Sequence, residues 1–61
     1  MKPKCKLVGE DGNVFNIIGR VSKSLKQAGL KTEAIEFQDN AFNSGSYDEV
    51  LQLAMKYVEV I

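Results

Sequence analysis

The chain has 61 residues, 44% hydrophobic and 26% charged, with one proline, one cysteine and no histidine. A chain this short buries only about 60% of its unfolded surface, but its apolar content is that of a folded protein, so one small domain over residues 1–61 is expected. A lone cysteine closes no internal disulfide, and the commonest zinc ligand is missing, which leaves side-chain packing to hold the fold.

Residues 5–8 read as a short strand, with Cys5 and Leu7 on one face and Lys4 and Lys6 on the other at period two. Gly9, Glu10, Asp11, Gly12 and Asn13 then supply turn-forming residue types, and Asp11 or Asn13 suits the cap of a helix. From there Val14, Ile17, Ile18, Val21, Leu25 and Ala28 fall on one stripe about 100° wide, with Arg20, Lys23 and Lys26 opposite. Gly29 follows the last periodic residue, where a left-handed stop favours glycine. The pattern predicts a first helix over 13–28.

Thr32 is placed to cap a second, short helix carrying Ile35, Phe37, Ala41 and Phe42, although Ile35 and Phe37 also alternate as in a strand. Helix is favoured by Ala34, Glu33, Glu36 and Gln38, and Asn43-Ser44-Gly45 supplies the stop. Ser46-Tyr47-Asp48-Glu49 has the capping-box form, with Ser46 bonding the backbone of residue 49 and Glu49 reaching back to residue 46. The helix it opens has an inward stripe of Tyr47, Val50, Leu51, Ala54 and Tyr57 or Val58. Residues 57–61 are β-branched or aromatic with alternating faces and read as a terminal strand pairing with residues 4–8, with Lys4 or Lys6 opposite Glu59. Because no turn residue separates the last helix from this strand, the pairing is expected to be antiparallel. The expected fold class is α+β, in the order β-α-α-α-β, with a two-stranded sheet from the chain termini packed against two or three helices.

Equal numbers of acids and bases conceal a division. Residues 1–31 carry seven bases against two acids, and residues 32–61 carry six acids against one base. The division either marks a binding face or is neutralised as the halves pack together. No apolar run approaches the roughly 18 residues of a membrane span, and the start of the chain lacks the apolar stretch of a signal peptide. With the lone thiol, these features lead to the expectation of a soluble, cytoplasmic protein without membrane contact.

Four segments resemble, in order, a group of short uncharacterised bacterial and mobile-element proteins. They are Leu7-Val8-Gly9-Glu10-Asp11-Gly12-Asn13, Ile18-Gly19-Arg20-Val21, Ser44-Gly45-Ser46-Tyr47-Asp48, and Met55 with Tyr57-Val58-Glu59-Val60. The resemblance spans nearly the whole chain. It implies a stand-alone small protein of the kind carried on mobile elements, and it brings no activity with it.

Candidate chemistry is sparse. Without histidine, the usual base for Cys5 or a serine is missing, and Cys5 alternating with Leu7 reads as a small buried hydrophobe. Glu10 with Asp11 and Asp48 with Glu49 are explained by turn and helix-start roles. The acids beside Gly9 and Gly12 oppose phosphate binding, and Asp11-Gly12-Asn13 lacks the remaining oxygen ligands of a calcium loop. The expectation is therefore no enzyme, no cofactor, no metal and no small-molecule substrate.

What remains is binding to a protein partner or to a second copy. The candidate contacts are Phe15, Arg20, Lys23 and Lys26. Phe15 lies about 60° to 160° around the first helix from the other apolar residues, at the rim of the stripe, although packing against the second helix also accounts for it. The alternative is an accessory nucleic-acid-binding role for the basic face of the first helix.

Overall fold

The computed structural model describes residues 2–7 and 13–61. In chain order the elements are β1 (Lys4–Cys5), α1 (Val14–Gln27), α2 (Lys31–Phe42), α3 (Tyr47–Tyr57) and β2 (Glu59–Val60). The expected α+β order is observed, with three helices packed on one another and two of them, α1 and α3, touching a two-stranded sheet made near the chain ends. The turn expected from Gly9 to Gly12 lies outside the described residues.

Each helix begins and ends for a local reason. Asn13 caps α1 by accepting the Phe15 N–H at 2.8 Å. Gly29, with φ +80°, closes it in a Schellman turn: Leu30 N–H donates to Leu25 C=O at 2.8 Å and Gly29 N–H to Lys26 C=O at 3.0 Å. The turn is so tight that α2 starts at once, with Leu30 as its N-cap and no side-chain cap bond. Thr32 therefore falls inside the helix, which corrects its expected capping role. At the other end of α2, Asn43 Nδ2 donates to Asp39 C=O at 2.8 Å and Ser44 Oγ to Asn40 C=O at 3.1 Å. Ser46 Oγ caps α3 by accepting Glu49 N–H at 3.2 Å, but the Glu49 carboxylate accepts from Gly45 N–H at 3.0 Å. The reciprocal bond thus falls one residue earlier than the capping box predicts.

The strands run parallel, with Lys4 opposite Glu59 and Cys5 opposite Val60. Glu59 N–H donates to Pro3 C=O, Ile61 N–H to Cys5 C=O, and Leu7 N–H to Ile61 C=O. This overturns the antiparallel expectation. A parallel pair needs a long crossover in place of a tight turn, and the three helices supply it; the missing turn after α3 said nothing about direction. Among the described residues the strands cover Lys4–Cys5 and Glu59–Val60, and Val8, expected at the end of the first strand, lies outside them. Tyr57 is still helical, and Val58, extended and buried, turns the chain into β2.

The core joins Cys5 and Leu7 to Ile17, Ile18, Val21 and Leu25 of α1, Ala34, Phe37 and Ala41 of α2, and Val50, Ala54 and Val58. Lys4 and Lys6 are exposed, as the period-two pattern requires. Ala28, expected inside, is exposed because it forms the C-cap of α1. Ser22, not expected inside, is buried, its Oγ without a hydrogen-bond partner. Burying each of the larger side chains contributes about 1.5–3 kcal/mol before chain entropy is subtracted, so few of them are dispensable.

Candidate interaction surface

Two of the three phenylalanines remain outside this core. Phe15 in the first turn of α1 is 65% exposed and Phe42, the last residue of α2, is 61% exposed. Their rings meet at 6.3 Å between centroids, tilted by 38°. That contact makes α1 and α2 an antiparallel hairpin about the Gly29 turn. It also gives the second-helix packing foreseen for Phe15, yet most of the ring stays in water. Ile35, seven residues before Phe42 and so on the same side of α2, is 57% exposed.

Beside Phe15, the outer face of α1 holds a shallow, open depression lined by Phe15, Asn16, Gly19, Arg20 and Lys23. Three of the four residues singled out from the sequence come together here. The fourth, Lys26, is exposed but lies further along the helix and does not line the depression. Gly19 lies among these lining residues without a side chain, and a Cβ there would meet nothing within 4 Å. A helix-interior glycine costs about 1 kcal/mol relative to alanine, and close packing within the described chain does not call for this one.

Sequence reasoning missed Gly19 and Ile35 as surface features, and names Phe42 only among the five aromatic residues that so small a core has difficulty covering together. The signal was present for Ile35 and Phe42: at about 100° per residue, they sit on the flank of α2, away from the Ala34, Phe37 and Ala41 stripe. The far side of that helix is tied to α3. Tyr57 meets Phe37 edge to face at 5.5 Å and donates its hydroxyl proton to the Glu36 carboxylate. That hydrogen bond, reinforced by burial and by the charge of Glu36, raises the Tyr57 phenol above its ordinary value of 10.0.

A second depression borders β2 and is lined by Lys2, Lys4, Met55, Val58, Glu59 and Val60. Lys2 Nζ donates to Met55 C=O across it at 2.8 Å. Cys5 is a buried free thiol, and among the described residues no cluster of three or more histidine, cysteine or acidic side chains is arranged to hold a metal. None of the described helices is long and apolar enough to cross a membrane. Comparison of the chain with protein-family models, with curated proteins and with solved structures gives no match.

Proposed function

We propose that this chain is a small non-catalytic binding module that meets a protein partner or a second copy through the face formed by α1 and α2. The observation that carries the reading is the pairing of Phe15 with Phe42, both more than half exposed, beside Arg20 and Lys23. A domain with so little core gains stability from every aromatic ring it buries, yet here two lie against each other in water. An exposed apolar centre rimmed by charge is the usual form of a protein contact.

Bait carrying Phe15→Asp and Phe42→Asp tests this against wild-type bait, with folding of both checked by circular dichroism. Retention of a protein by wild type alone supports the reading; equal retention by both baits sinks it. An aromatic ring beside Arg20 and Lys23 also favours a second reading, contact with single-stranded nucleic acid. That reading predicts salt-dependent binding to an oligonucleotide at low ionic strength, lost on Arg20→Ala/Lys23→Ala. Cytoplasmic location and a bacterial, mobile-element setting belong to the same proposal, supported by the lone unpaired cysteine and by the resemblance of the four sequence segments.

A further inference from the structure

We infer that the occupant of the α1–α2 face is a second copy of this chain, related by a two-fold axis running along the seam between the two helices. The inference rests on the binding reading above and adds the partner's identity. Two independent features support it, the order of charges across the face and the glycine at its centre.

At about 100° per residue, Arg20 and Lys23 lie on the side of Phe15 away from α2, and Asp39 lies on the side of Phe42 away from α1, while Glu36, further round the helix, is held by Tyr57 of α3. The face therefore runs base, aromatic, acid. A two-fold contact must be self-complementary. An axis across the helices would set α1 on α1 and base on base, whereas an axis along the seam sets α1 on α2 of the other copy and base on acid. The register agrees. At about 1.5 Å per residue, Arg20 lies about 7 Å along the seam from Phe15, and Asp39 lies about 4 Å in the same direction from Phe42. Lys26 and Lys31 would face one another at the far end, so the contact stops short of them.

In that arrangement Phe42 of the second copy stands over Phe15 and Gly19. Its side chain leans towards the start of its own helix, which is the direction of the depression. The contact thus accounts for a helix glycine that packing within the described chain does not require.

Sedimentation equilibrium over a wide concentration range reads the outcome. Wild type is expected to rise from one chain mass towards two, and Phe42→Asp to weaken the pair by at least about tenfold. Gly19→Gln separates a contact role from a folding role: it should raise the melting temperature of the dilute chain while weakening self-association. Arg20→Glu/Lys23→Glu and Asp39→Lys should each be monomeric alone and pair when mixed. A wild type that stays monomeric overturns the inference, as does a dimer indifferent to residues 19 and 42 or charge-reversed chains that fail to pair. A monomer that still captures another protein through Phe15 and Phe42 leaves the binding reading standing without the second copy.

Discussion

Phe37 and Phe42 sit five residues apart on the same helix and have opposite fates. Phe37 is fully buried, edge-on to Tyr57 and surrounded by the core, whereas Phe42 is mostly in water with only Phe15 against it. Composition and propensity cannot separate them, because the residue type and the helix are the same. Five residues are about 140° of rotation, enough to carry one ring from the face shared with α1 and α3 to the outer flank. Burial in this protein is thus a property of angular position on a helix, and the apolar residues at the wrong angle are those left over for binding.

The contrast sets an order of effects, each measured by urea unfolding of dilute protein. Phe37→Ala removes the largest fully buried side chain and should cost about 3–5 kcal/mol, enough to leave so small a domain largely unfolded. Ala34→Leu, on the same buried face, should cost about 1–3 kcal/mol through overpacking, and a neutral result would show the interior to be looser than described.

Tyr57→Phe keeps the ring against Phe37 but removes the hydrogen bond to Glu36, for a loss of about 1 kcal/mol. It also carries a pH signature. Because the phenol is raised in the folded chain, its stabilisation is complete below the unfolded value near 10 and is lost as pH rises through the folded value. Wild type should therefore lose its advantage over Tyr57→Phe in alkaline solution, and a constant difference would remove the hydrogen bond from the account. Phe42→Ala should change stability by no more than about 0.5 kcal/mol, as for other surface substitutions. A loss as large as that of Phe37→Ala would erase the distinction on which the binding surface depends.

Much of the fold was legible because its signals are local. The stripe of α1, apart from exposed Ala28 and buried Ser22, the Gly29 stop and the Ser46 start are each decided within a turn of helix and were legible, and of the two caps offered for α1, Asp11 or Asn13, the chain uses Asn13. Thr32 misled because α2 begins inside the closing turn of α1, so no separate cap is needed. The site was half legible. Phe15, Arg20 and Lys23 stand out on one helix, but their neighbour Phe42 is 27 residues away in sequence and joins them only when α2 folds back.

The sequence by itself therefore determined the order of elements, most of the buried stripe of α1 and the absence of any histidine-based chemistry, since all of these follow from residue type and spacing. Tertiary structure alone decided that the strands run parallel and that Phe15, beside Arg20 and Lys23, meets Phe42. These depend on how helices cross and reverse, and the energies that set those angles come from contacts between residues far apart in the chain.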